Sequence, residues 1–233
     1  MPAKILDVPD IGEVAFYKRR GSRSIRLTIA PTRAVRVTMP YWVPYATGVA
    51  FVRSKSAWIQ NQLDRQQPAV LEPGRHIGKA HTLDFKTGPQ VFTITSRLNG
   101  NAIIVTYPSQ LSWDDEAVQT KAKQAAIRAL RSEAEQALPA RLHDLALEHG
   151  LHYRSVTVKH LKRRWGSCDQ HHNIVCNLFL MQLPWDLIDY VLLHELTHTK
   201  HLNHSPEFWD EMDRLLPNVT ARRRQLRRHQ PAL

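Results

Sequence analysis

Cysteine is nearly missing from this chain, with two residues in 233. That is too few for the disulfide framework of a small secreted scaffold. Long apolar runs are missing too: no stretch approaches the roughly 18 residues that cross a bilayer, so no membrane partner is expected. The N-terminal MPAKILDVPDIGEVAFYKRR puts acids where a signal peptide has its apolar core, which points to a cytoplasmic protein. Glycine is sparse, at nine residues, and no Gly-rich phosphate cradle is visible. Acids are outnumbered, 21 against 32 basic residues, for a formal charge of +11. The 42% apolar content is ordinary and excludes wholesale disorder. A chain of this length can bury a core without staples.

The charge is uneven. Residues 1–110 hold 15 basic and 6 acidic side chains, whereas residues 111–233 hold 17 and 15. Five of the later basic residues lie in the terminal stretch ARRRQLRRHQ. Two readings follow, a polyanionic partner or a solvated surface. In the first, Lys18, Arg19, Arg20, Arg23, Arg26, Arg33 and Arg36 contact phosphate without sequence specificity, and binding weakens steeply with salt.

Periodicity organises the chain. Ile25, Leu27 and Ile29 alternate with Arg26 and Thr28, and Val35, Val37 and Met39 repeat the pattern, so a hairpin through Pro31-Thr32-Arg33 is predicted. Residues 45–66 read as one helix with Val52, Ile59 and Leu63 on a stripe and Trp58 beside it. Residues 91–95 and 102–107 read as strands joined through Asn99-Gly100, a dipeptide suited to a tight turn. A long helix then runs to Leu147, capped by Ser112, favoured by Asp114, Asp115 and Glu116 at its positive end, kinked or divided at Pro139, and stopped by Gly150. Strands near 155–160 and at 173–180 follow, then helices near 184–201 and 206–216, the second started by Ser205-Pro206. No internal repeat is visible. The expected organisation is a β-rich accessory region at 1–110, a linking helix at 111–150 and a catalytic region at 151–233.

The chemistry is concentrated in HELTHTKHLNH, residues 194–204. His194 and His198 are four apart, about 40° around a helix axis, and can share one metal ion. Glu195 is placed to reach metal-activated water without being a ligand. His204 must swing back from beyond the helix to complete the set. Three imidazoles leave one position of a tetrahedral zinc open, as a catalytic site requires. Glu207 or Glu211 is the alternative third ligand, while His201 falls on the wrong side of the helix. Cys168 and Cys176 read as small packed residues.

Arg164-Trp165-Gly166-Ser167-Cys168, Asn177, Pro184, Asp189-Tyr190-Val191, the His194–His198 motif, Asn203-His204-Ser205 and Phe208-Trp209 together resemble the YgjP-like metallopeptidase family. The glycine that metzincins place between the second and third histidines is His201 here, which speaks against that branch. The resemblance implies an α+β, zincin-like domain with an active-site helix, related to SprT-like proteases, with Zn(2+) on His194, His198 and His204 and Glu195 as general base. It also implies that the strand before the active helix rims the cleft and pairs with extended peptide or protein substrate. By order that strand is 173–180. Arg164, Trp165 and Asn177 are the candidate substrate contacts, although Asn177 serves a neighbouring loop equally well and Trp165-Gly166-Ser167 reads as a structural turn.

Three functions compete. The first is a zinc peptidase. The second, implied by members of the resembled family, is a nucleoside-triphosphate pyrophosphatase acting on uridine triphosphate, with Lys159, Lys162, Arg163 and Arg164 near the phosphates. The third is a nucleic-acid-associated SprT-like protease using the basic N-terminal half. No oligomeric state is implied.

Overall fold

Alternating apolar residues at the N-terminus form a sheet in the computed structural model, which describes residues 3–30, 34–65 and 70–233. The chain divides into two compact units, Met1–Ala69 and Val70–Leu233. In the first, β1 (Lys4–Val8), β2 (Gly12–Arg19), β3 (Arg26–Ile29) and β4 (Val35–Pro40) make a sheet of order β1-β2-β4-β3. β3 and β4 pair antiparallel, Leu27 opposite Val37. The predicted Pro31-Thr32-Arg33 turn lies outside the described residues. Val14, Phe16, Val35, Val37 and Met39 are buried with Val52 and Ile59 from the helices.

The single helix expected at 45–66 is two, α1 (Tyr45–Ser54) and α2 (Ser56–Arg65). The break has a local cause. The Ser54 hydroxyl donates to the Phe51 carbonyl at 2.8 Å, and the Lys55 N–H turns back to Val52, the competition with helical bonding that serine offers.

The second unit opens with β5 (His76–Ile77), β6 (His81–Gly88), β7 (Thr95–Asn99) and β8 (Ala102–Pro108), in the order β5-β6-β8-β7. This repeats the first sheet: an antiparallel pair, a parallel neighbour, then an antiparallel edge. The repeat escaped sequence reading because it lives in strand pairing, with different residues at equivalent places. The Asn99-Gly100 turn is present, with Gly100 at φ +56. The strand entering it is residues 95–99 rather than 91–95.

Helix α3 (Glu116–His149) lays Ala122, Ala125, Ala126 and Ala129 in one core with Leu83, Ile103 and Val105. Residues 70–110, grouped by sequence with the N-terminal region, therefore belong to the second unit, because the long helix covers their sheet. Ser112 does not cap α3. Asp115 occupies the cap position, and its carboxylate accepts the Ser112 N–H at 2.7 Å. Pro139 does not divide the helix either. Burial of Leu138 and Leu142 on its flanks offsets the roughly 3 kcal/mol that an interior proline costs. Gly150 ends the helix in the left-handed region, as expected.

A third sheet, of order β10-β11-β9, is built from β9 (Ser155–Lys159), β10 (Gly166–Cys168) and β11 (Asn173–Asn177). The strand expected to reach residue 180 stops at Asn177 and becomes a 3-10 turn, Leu178–Gln182. Four consecutive buried apolar residues there, Leu178 to Met181, suit a turn enclosed on all sides and not a two-faced strand. Next come α4 (Trp185–Thr197), α5 (Pro206–Leu215) and α6 (Val219–Leu226). Ser205 precedes Pro206 at the start of α5 without a side-chain cap bond.

Two connections fix α4. Arg141 of α3 donates twice to Asp189, at 2.8 and 2.7 Å. Buried Glu133 of α3 accepts from the Lys79 and Ala80 N–H groups at 2.7 and 3.1 Å and meets His81 Nδ1. Lys79 in turn donates to the Leu183 carbonyl just ahead of α4 and lies 5.3 Å from the Trp185 ring centre. No helix among the described residues is long and apolar enough to cross a membrane.

Candidate metal centre

Helix α4 is enclosed because Leu187, Ile188, Val191, Leu192, Leu193 and Leu196 are all buried. It was expected to reach 201 but ends at Thr197, with His198 as its C-cap. The Thr197 hydroxyl donates to the Leu193 carbonyl at 2.8 Å, and the Lys200 and His201 N–H groups both turn back to the Thr197 carbonyl. This early exit is what returns His204 to the helix. Ligand atoms of His194, His198 and His204 all lie within 4.8 Å of one another. Neither Glu207 nor Glu211 joins them. Glu207 is exposed, and Glu211 is bound to Lys200 and Arg214 at 2.9 and 2.8 Å.

The donor chemistry fits a divalent cation. His198 Nδ1 lies 3.0 Å from the His201 carbonyl, so that nitrogen carries the proton and Nε2 keeps its lone pair for the cluster. The Nε2 atoms of His194 and His204 are 3.0 Å apart. Two lone pairs at that distance repel unless a proton or a cation lies between them. Burial, with His198 and His204 adding to it, pushes His194 down to about 3, so the imidazole is neutral, the form a metal ligand requires. His194 Nδ1 is buried without a hydrogen-bond partner among the described residues. The cluster is also enclosed by Phe208 and Trp209, the latter stacked on His204 with 5.6 Å between ring centres.

Glu195 is 5% exposed. Burial raises its carboxyl to about 8, against the opposing pull of Arg164. It can sit there only because residue 166 is glycine: a Cβ at that position would lie 2.7 Å from Glu195 Oε1. Gly166 starts β10, so Trp165-Gly166-Ser167 enters a strand and is not the structural turn expected from sequence. A cavity of about 260 Å³ opens beside these groups, lined by Arg164, Trp165, Gly166, Tyr190, Val191, His194, Glu195 and Leu226.

The three candidate substrate contacts separate here. Arg164 and Trp165 line the cavity. Asn177 does not: it is fully buried, its amide donates to the Leu161 and Arg164 carbonyls at 2.8 and 2.7 Å, and its oxygen accepts from Leu161 and Phe179 N–H. Every polar site on that amide is committed to the loop, so none is left for substrate. The expectation for the rim strand also changes. β11 lies between β10 and β9, and the edge strand beside Glu195 is β10. Lys159, Lys162 and Arg163 are exposed, and of that basic group Arg164 alone lines the cavity. The two cysteines are free thiols, pushed up to about 11 at Cys168 and about 12 at Cys176 by burial and by Glu195.

Tyr190 and the contribution of α6 were not assigned a role from sequence. Tyr190 is one turn before His194 on the same helix face, a spacing that was readable. Leu226 reaches the cavity from α6, and the Arg223 guanidinium lies 4.4 Å above the Trp209 ring; nothing in the arginine-rich composition singled out that residue.

A family model described as YgjP-like, metallopeptidase domain, matches residues 23–229. The chain belongs to the YgjP-like metallopeptidase family. It is thus a hydrolase of the metallopeptidase type with an α+β fold. Among solved structures, the metallopeptidase zymogen of Pyrococcus abyssi abylysin is 22% identical, with 39% of this chain and 92% of that chain covered and a TM-score of 0.35. The zymogen of Methanocaldococcus jannaschii jannalysin is 18% identical, covering 40% and 93%, also with a TM-score of 0.35. No curated protein matches the chain.

Proposed function

We propose that this YgjP-like protein is a zinc-dependent peptidase in which His194, His198 and His204 hold the metal and Glu195 is the general base. The observation that carries the reading is the convergence of three imidazoles beside a carboxylate that is buried yet borders an open cavity. Three nitrogen donors with no acidic ligand favour zinc over harder cations. When bound, the zinc ion supplies Lewis acidity to the scissile carbonyl and to water.

The chain's own groups do the rest. Glu195 takes a proton from the attacking water on one carboxylate oxygen and delivers it to the departing amine. Burial disfavours the charged carboxylate of Glu195, which makes it a stronger proton acceptor than an exposed carboxylate once the cation beside it favours the ionised form. The His198–His201 contact fixes one ligand's tautomer before metal arrives. Extended substrate lies along the free edge of β10, and Trp165 and Tyr190 shield the reacting centre from water. The pyrophosphatase and nucleic-acid readings have no comparable support, since the cavity offers one of the four basic side chains that a triphosphate was expected to meet.

The test is Glu195→Gln, assayed with metal content. Retained zinc with abolished cleavage of an unstructured polypeptide is expected. Wild-type cleavage by this variant would falsify the mechanism.

A further inference from the structure

The surroundings of the centre carry more positive charge than the reaction needs. Three neutral ligands leave the full charge of a divalent ion uncompensated. Arg164 lines the cavity wall. Arg223 lies over Trp209, which is itself stacked on His204. Leu226, one turn further along α6, places the same helix face at the cavity. Among the described residues neither Arg164 nor Arg223 forms an ion pair. The Trp209 ring centre lies 6.1 Å from that of His194 and 5.6 Å from that of His204, so the guanidinium above it stands one aromatic ring away from two of the imidazoles. Among the described residues the acid lining the cavity is Glu195, and that group is needed for the chemistry.

Cations gathered around a cationic centre repel one another, and the arrangement becomes favourable when an anion enters it. Stacking on Trp209 also restricts the guanidinium before any ligand arrives, so less freedom is lost on pairing. We infer that Arg223, backed by Arg164, selects peptides carrying a carboxylate side chain beside the scissile bond. This rests on the peptidase reading above and adds to it a substrate class and a specificity residue. The guanidinium donates to the carboxylate, and no covalent step involves either arginine.

The test uses the full chain loaded with zinc and a set of unstructured fluorogenic peptides, in which one residue at each position in turn is Glu, Gln or Lys. At the preferred position Glu should exceed Gln in kcat/KM by on the order of tenfold to a hundredfold, the usual worth of a charge-assisted hydrogen bond. Arg223→Gln should collapse that ratio, Arg223→Lys should restore part of it, and Arg223→Glu should shift the preference towards Lys. Arg224→Gln, an exposed neighbour, should leave the ratio intact. A second readout needs no turnover: in Glu195→Gln protein, fluorescence anisotropy should show the same Glu-over-Gln order in Kd. A merely structural Arg223 would lower activity on all three peptides equally. Equal cleavage and equal binding across Glu, Gln and Lys peptides overturns the inference and leaves the peptidase reading standing. Cleavage of no peptide, with pyrophosphate released from nucleoside triphosphates, overturns both.

Discussion

Gly166→Ala places a methyl group against Glu195 and separates the cost to catalysis from the cost to folding. The new Cβ would stand 2.7 Å from Glu195 Oε1, 2.8 Å from Cγ and 3.0 Å from Cδ. Ordinary contact begins near 3.4 Å, so the side chain must retreat by about 0.7 Å. The Glu195 side chain must move from Cγ outward, while the three nearest atoms include no backbone. Overpacking costs roughly 1–3 kcal/mol, and alanine recovers about 0.5–1 kcal/mol of the entropy that glycine loses in a strand. A net loss of about 1 kcal/mol lowers Tm by only about 2–4 °C in a chain of this size. Catalysis has no such tolerance, because a displacement approaching 1 Å costs up to about a hundredfold. The variant should bind zinc as wild type does, melt a few degrees lower, and lose about ten- to a hundredfold in kcat on a fluorogenic peptide. Metal analysis, calorimetry and steady-state kinetics decide it. A kcat within twofold of wild type refutes the reasoning, as does a loss of metal in step with kcat, which would put the damage at the histidines.

Three further outcomes follow from the same geometry. His204→Ala should lose zinc while Glu207→Ala keeps it, since Glu207 stands outside the imidazole cluster; elemental analysis reversing that order would reassign the third ligand. Asp189→Asn should destabilise the second unit by about 1–2 kcal/mol in denaturant titration, a value reduced for solvent because the Arg141 side chain is 39% exposed; no shift in midpoint would make the α3–α4 pair ornamental. Glu211 is held at about 2 by Arg214 and Lys200, a depressed carboxyl. Its contribution to stability is therefore complete above the ordinary carboxylate range near 4.3 and is lost as pH falls towards 2. Thermal melts of Glu211→Gln should show a shallower decline across that window than wild type, and parallel curves would count against the pair.

The motif and its helix were readable because they depend on local spacing. Four residues place two histidines on one face, and an apolar surround marks that face as enclosed. The metal-ligand candidates could thus be named before any fold was known. What was not readable depends on partners distant in sequence. The early end of α4 requires the turn of Thr197 to His201, which a helical periodicity continuing through Leu196 does not announce. Asn177 could be read as a substrate contact only while Leu161 and Arg164 were not known to surround it. The order β10-β11-β9 cannot be inferred from chain order, because β11 pairs parallel with the earlier β9 and leaves the shorter β10 on the edge.

The same logic explains why residues 70–110 group with the first unit in sequence and with the second in the structure. Strands in that segment alternate as the preceding ones do, and the shared pairing scheme of the two sheets is not visible in sequence. Composition and periodicity report the element type and are silent on what covers it. Coverage is decided by α3, whose run of alanines brings the helix backbone close to Leu83, Ile103 and Val105, and whose Glu133 gathers the β5–β6 turn. That turn carries Lys79, which reaches the Leu183 carbonyl two residues ahead of α4. The β-rich segment next to the catalytic region is therefore part of the scaffold that orients His194 and Glu195. Lys79→Met should consequently disturb kcat more than it disturbs peptide Kd in the Glu195→Gln background; equal effects on both would place Lys79 in general stability alone.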